Sequence, residues 1–151
     1  MASVLFVSSN RSNATLATGD SVEISIRFDQ IITISGTPTL TLVSPIVTNG
    51  VAFTRLSTNT GLGLSDLIFT YTVQSGQTTS GSILNYAATN SLVCTITSPA
   101  SGNDTTLPGL NTPSSLGDSN LIVDAIAPTL TSFTTPQSAG TYNTGAQIQI
   151  I

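Results

Sequence analysis

The chain has 151 residues, and only ten of them are charged: three arginines and seven acidic residues, with no lysine and no histidine, for a formal net charge of −4. This length suits one domain with a sizeable core, while so few cations argue against nucleic acid as a partner, because neutralising phosphates needs a basic stripe. No apolar stretch approaches the length of a membrane-spanning helix and no basic face is present to bind anionic lipid, so we expect no membrane insertion by this segment.

Apolar and polar residues alternate along most of the chain, which is the pattern of a half-buried strand. The clearest case is the segment 22–29, in which Val22, Ile24, Ile26 and Phe28 alternate with polar side chains. Similar segments predict strands that begin near residues 3, 20, 31, 39, 51, 66, 83, 91 and 120. No window favours a helix. The expected fold is therefore all-β, an antiparallel β-sandwich of two sheets packed face to face.

Turn signals rich in glycine and asparagine separate these segments. They occupy residues 18–20, 35–38, 49–50, 75–77 and 101–104. The segment Leu107–Ser114 contains two prolines and a glycine, and we expect it to run as a loop into the last strand, residues 120–124. Pro128 disfavours helix at Ala127 and stiffens the chain there, so Asp124, Ala127 and Pro128 are predicted to belong to a short extended linker.

The last 24 residues begin to repeat the first 25 at a constant offset of 126 positions, without a gap. Several residues recur unchanged, among them Thr15, Thr18, Gly19 and Ile24, which return as Thr141, Thr144, Gly145 and Ile150. Three apolar positions stay apolar: Val4, Val7 and Val22 return as Leu130, Phe133 and Ile148. Self-similarity at a fixed spacing is typical of array architectures. The sequence therefore predicts one whole module, residues 1–127, followed by the start of a second, incomplete module, residues 128–151.

Several segments resemble a known family. Thr18–Phe28, Gly36–Leu42, Phe69–Gly76, Leu84–Tyr86 and Asp124–Pro128 look like the immunoglobulin-like, or cadherin-like, tandem repeats of very large bacterial surface proteins and adhesins. The resemblance covers nearly all of residues 3–128. It implies an immunoglobulin-like β-sandwich in a long array, with no chemistry of its own. The chain departs from the family in its low charge and in its linker, where the family often has Asp-Thr-Thr-Ala-Pro.

The resemblance implies a structural or adhesive role at the cell surface or outside the cell, as a spacer, stalk or contact surface. The partners would then be neighbouring copies of the same module. Similar modules occur on phage virions, so a virion decoration or fibre module is the first alternative. The second is a self-polymerising filament subunit, in which residues 129–151 would complete the sheet of a neighbouring subunit.

The sequence contains few of the residue types that enzymes use for catalysis. Without histidine or lysine, no Ser-His-Asp or Cys-His arrangement and no lysine base can form. Cys94 is the single cysteine, and its alternating surroundings predict a buried, unreactive thiol. Carboxylate pairs such as Asp20 with Asp29, or Asp104 with Asp118, would have to converge in a cleft to hydrolyse a glycoside, whereas these residues fall at strand ends and turns. We therefore predict that the chain is not an enzyme.

Calcium is the one cofactor that the sequence suggests. Hard cations prefer several oxygen ligands, and Asp124, Asp104 and Asp29 could supply carboxylates at a module boundary. None of the three lies in an EF-hand loop or a glycine-rich calcium nonapeptide.

A small-molecule site is not expected. The chain has no tryptophan, and Phe69, Tyr71 and Tyr86 fall in the apolar phase of their strands, which favours core packing over an exposed stacking platform.

Overall fold

Most of the alternating segments form strands in the computed structural model, which describes residues 1–43 and 49–151. Within these ranges the elements are β1 (Val4–Ser9), β2 (Ala14–Leu16), β3 (Ser21–Phe28), β4 (Thr33–Leu40), β5 (Val51–Asn59), β6 (Leu64–Thr72), β7 (Leu92–Ser98), the 3₁₀ helix η1 (Leu116–Ser119) and β8 (Leu121–Val123). No helix there is long and apolar enough to cross a bilayer.

The first sheet has the strand order β1-β3-β6-β5, and all neighbours are antiparallel. Its central ladder joins β3 to β6 without a bulge, from the pair Ser21 and Thr72 to the pair Phe28 and Ser65. Every second residue of β3 is buried. Because the pleat sends successive side chains to opposite faces, this sheet presents one apolar face to the core.

The second layer contains an antiparallel pair, β4 with β7, and a parallel pair, β2 with β8. The irregular segment 77–86 connects the two pairs. Its Thr78 is bridged to Asp124, at the end of β8, and its Tyr86 is bridged to Leu42, just after β4. Buried residues from both layers form one hydrophobic cluster, so the predicted all-β, sandwich-like fold is confirmed.

The structure differs from the sequence-based prediction in four places. The predicted turn at residues 35–38 lies inside β4, where the register with β7 shifts between Ser35 and Thr39. That is a local irregularity in a continuing strand. The three-residue β2 was not predicted, because it is too short to show alternation. The strand expected near residue 83 contributes only isolated contacts. Finally, η1 interrupts the loop before β8.

Residues 128–151 form no strand and lie outside the core. The buried hydrophobic cluster extends from Ala2 to Ala125, whereas nearly every side chain of 128–151 is exposed. The backbone hydrogen bonds of this segment join Thr134 to Ile151 and Asn143 to Ala146. We call residues 128–151 the tail.

Deleting the tail should leave the sandwich intact. The variant ending at Ala127 is expected to unfold within about 1 °C of the full chain, because a change in stability of 1 kcal/mol would shift the midpoint by several degrees in a domain of this size. The measurement is thermal unfolding followed by circular dichroism.

A deletion from Leu121 onward is the matched control. It also removes β8, whose Leu121 and Val123 are fully buried, and should abolish the cooperative transition. A large loss of stability on removing only the tail would show that the tail packs on the sandwich.

Candidate functional site

The sandwich has two ends, and each is built from a distinct set of turns. We define the exit end as the turn Ala17–Asp20, the turn at Asn49 and Gly50, the turn 73–77 and the outgoing chain from Asp124. We define the entry end as Met1–Ser3, the β3–β4 connection 29–32, the β5–β6 turn 60–63 and the segment 99–104. A neighbouring module on either side would have to meet one of these two ends.

The outgoing chain is held to the exit end as far as Ala125. The backbone N–H of Ala125 donates to the carbonyl of Gln77 at 2.9 Å, and the N–H of Gly76 donates to the carbonyl of Ala125 at 2.9 Å. The N–H of Asp124 donates to the carbonyl of Leu16 at 3.0 Å. Of the predicted linker residues, Asp124 is therefore part of the sandwich, while Ala127 and Pro128 are exposed beyond it.

A buried glutamine organises the turn that holds the outgoing chain. The Gln77 Oε1 accepts hydrogen bonds from the Tyr71 hydroxyl at 2.9 Å and from the Gln74 N–H at 2.7 Å. Its Nε2 donates to the Asn49 carbonyl at 3.1 Å. One side chain thus connects β6, the turn 73–77 and the residue preceding Gly50. Sequence reasoning missed this role, because a Ser-Gly-Gln turn is ordinarily solvent-exposed and alternation carries no signal for a buried amide.

One backbone pair in the tail matches a pair between β1 and β3 at the predicted offset. Thr134 and Ile151 exchange two backbone hydrogen bonds, at 3.1 and 2.9 Å. Their equivalents 126 positions earlier, Ser8 and Ser25, are paired in the ladder between β1 and β3. The backbone pairing therefore has the same register as the sequence repeat.

The turn between Thr134 and Ile151 also matches the turn between Ser8 and Ser25. The N–H of Ala146 donates to the carbonyl of Asn143 at 3.0 Å, as the N–H of Asp20 donates to that of Ala17 at 3.0 Å. Gly145 has a φ of 90° and Gly19, its equivalent, a φ of 87°. Positive φ favours glycine, so the repeated glycine has a conformational reason in both turns.

Within the sandwich the three calcium candidates lie at two different ends. Asp29 and Asp104 flank Ser3 at the entry end: the Asp29 carboxylate accepts the Ser3 N–H at 2.9 Å, and Asp104 is bridged to Ser3. Asp124 lies at the exit end. Hydrogen bonds from the Thr106 hydroxyl and N–H lower the pKa of Asp104. Within residues 1–43 and 49–151, no group of three or more His, Cys, Asp or Glu side chains is placed to hold a metal ion.

The residues considered for catalysis are also spread apart. Asp20 lies at the exit end, where its carboxylate accepts the Ala17 N–H at 2.9 Å, and Asp29 lies at the opposite end. A groove of about 740 Å³ between residues 81–86 and 110–118 is lined by Asp118 but not by Asp104. Cys94 is half-buried in β7, and burial raises the pKa of its thiol.

The aromatic side chains are used in packing. Phe69, Tyr71 and Tyr86 are all buried, and the hydroxyls of the two tyrosines donate to Gln77 and to the Pro108 carbonyl. Burial raises the pKa of each tyrosine to about 12. None of the three offers an open face to a ligand.

Replacing the buried glutamine should destabilise the sandwich. Gln77→Leu keeps the volume but leaves the Tyr71 hydroxyl, the Gln74 N–H and the Asn49 carbonyl without this partner, so a loss of about 2–3 kcal/mol is expected. Urea unfolding measures the loss, and faster hydrogen exchange at the Ala125 amide would report the released chain. Gln74→Ala, at an exposed neighbour, is the control and should change stability by less than about 0.5 kcal/mol. Equal effects of the two variants would contradict the role assigned to Gln77.

Stability should fall at alkaline pH because of Tyr71 and Tyr86. Both have a pKa of about 12 in the folded chain, whereas an unfolded tyrosine titrates near 10. Stability is therefore fully present below about pH 10 and is lost as the pH rises toward 12. The test is the urea midpoint against pH in a Cys94→Ala variant, which removes the thiol titration. Ionisation of both tyrosines near pH 10 in the folded protein, seen by ultraviolet absorbance, would contradict the prediction.

Comparison of the chain with protein-family models, with curated proteins and with solved structures gives no match.

Proposed function

We propose that this chain is a structural module of a tandem array. In this proposal it belongs to a long repetitive protein outside the cell or on its surface and serves as a spacer, stalk or contact surface without enzymatic activity. The observation that carries the proposal is the backbone pair that Thr134 and Ile151 form, because it lies 126 residues after the pair of Ser8 and Ser25 between β1 and β3. Self-similarity at a fixed offset is typical of a tandem array.

The strand order adds support for the family resemblance. With β1, β3, β5 and β6 taken as strands A, B, D and E, the first sheet has the A-B-E-D order of constant-type immunoglobulin sandwiches. Many cell-surface domains share this sandwich architecture. Each module can bury its own core, so an array of them needs no continuous hydrophobic interface.

The exit end supports a spacing role. Ala125 is fixed to the turn 73–77 by two backbone hydrogen bonds, so the direction in which the chain leaves depends on the sandwich itself. Gln77 in turn fixes that turn to β6. A pull on the outgoing chain would therefore act on the central ladder of the first sheet rather than on a free loop.

The native polypeptide provides the test. An antibody raised against the chain should detect, in extracts of the source, a polypeptide far larger than the 15.5 kDa of this chain. External protease applied to intact source cells should degrade it if it lies at the surface. Detection only in purified phage particles would favour the virion alternative.

A native mass of 15.5 kDa would overturn the array proposal and favour strand donation. The observation behind this second candidate is the exposed apolar set of the tail: Leu130, Phe133, Ile148 and Ile150. The equivalents of Phe133, Ile148 and Ile150 are Val7, Val22 and Ile24, which are buried, and the equivalent of Leu130 is Val4, which is half-buried against the core. The tail therefore carries side chains suited to a core. In that case purified chain should polymerise in sedimentation experiments, and Ile148→Asn with Ile150→Asn should keep it monomeric.

A further inference from the structure

We propose that the entry end of each module is covered by the exit end of the module before it, with Ile31 and Leu62 as the buried contact. This inference rests on the proposed tandem array and adds to it a specific interface. In this arrangement consecutive modules contact each other directly and are not separated by a flexible linker.

The chain that connects one module to the next is short. The outgoing chain is hydrogen-bonded to the sandwich up to Ala125. Pro128 is the equivalent of Ala2, because 128 minus 2 is the repeat offset of 126. Ala2 is fully buried, and its carbonyl accepts the Asp104 N–H at 2.8 Å. Only Ile126 and Ala127 therefore separate the last fixed residue of one module from the first fixed residue of the next.

Such a connection leaves no room between modules. The three residue steps from Ala125 to Pro128 span at most about 11 Å when the chain is extended. This distance is comparable with the spacing of two sheets packed through their side chains. The exit end of one module and the entry end of the next must then lie within contact distance.

The entry end carries apolar side chains that suit this contact. Leu62, in the β5–β6 turn, is 69% exposed, and Ile31, in the β3–β4 connection, is 41% exposed. The Ile32 N–H donates to the Ser65 hydroxyl at 3.1 Å, which holds the two turns side by side. Met1 is tied to the same place, since its carbonyl accepts a hydrogen bond from Gln30.

The exit end offers a complementary apolar group. Ile126 is 58% exposed and follows directly on the residue that is fixed to the sandwich. Scattered exposed apolar residues are ordinary on protein surfaces. Here, however, Ile31 and Leu62 share the end that the short connection brings against Ile126 of the preceding module.

A fusion of two copies tests the contact. Residues 1–126 are joined to the complete chain 1–151, so that Met1 takes the place of Ala127 and the 126-residue period is kept. The urea midpoint of the fusion should exceed that of the single chain. Ile31→Ser with Leu62→Ser in the downstream copy should remove this gain, while the same pair in the single chain should have little effect because both side chains are already exposed.

Val93→Ser in the downstream copy is the matched control. Val93 is 67% exposed and pairs with Thr39, at the opposite end of the β4–β7 ladder from the pair Thr33 and Ser98 beside the entry end, so its replacement should leave the gain in midpoint intact. A fusion of two folded copies with the midpoint of the single chain, or a gain that survives the double variant, would overturn the interface and leave the array standing. A fusion whose circular dichroism shows only one folded copy would overturn the array, and the interface with it.

Discussion

The ladder between β3 and β6 is the constraint on which the rest of the sandwich depends. It runs for eight consecutive residue pairs without a bulge, and it lies in the middle of its sheet, with β1 on one side and β5 on the other. A slip of one residue would turn Ile24, Ile26 and Phe28 from the core to the solvent. Burial therefore fixes the register, and the fixed register places both ends of the sandwich, including Tyr71 beside Gln77 at the exit end.

Much of this arrangement follows from local sequence and some of it does not. Alternation along Val22–Phe28 and along Leu67–Val73 predicts strands with one buried face, and the structure has them. Alternation has no information about which strands pair across the second layer, so the parallel contact of β2 with β8 was not predicted. Alternation also does not indicate which end of the sandwich each loop reaches, so it could not place Asp124 at the exit end and Asp29 and Asp104 at the entry end.

The tail shows which backbone features the local sequence specifies when no core packs against it. Its turn and its first backbone pair match those of β1 and β3, because Gly145 supplies the positive φ of the turn and the adjoining segments are long enough to meet. No strand extends from them, since two strands without a third and without a core are marginal in water. The equivalents of Val22 and Ile24 consequently remain exposed there.

The charges of the sandwich have a consequence for separate molecules. In the described part of the chain each arginine is paired, Arg11 with Asp20, Arg27 with Asp66 and Arg55 with Glu23. The other four of the seven acidic residues have no arginine partner there and account for the whole net charge of −4. They are Asp29, Asp104, Asp118 and Asp124. Three of them sit at the ends, so two free molecules approaching head to tail repel each other over roughly the 8 Å screening length of physiological salt. Joining modules in one polypeptide overcomes this repulsion through a high effective concentration, and so favours order along a chain over aggregation between chains.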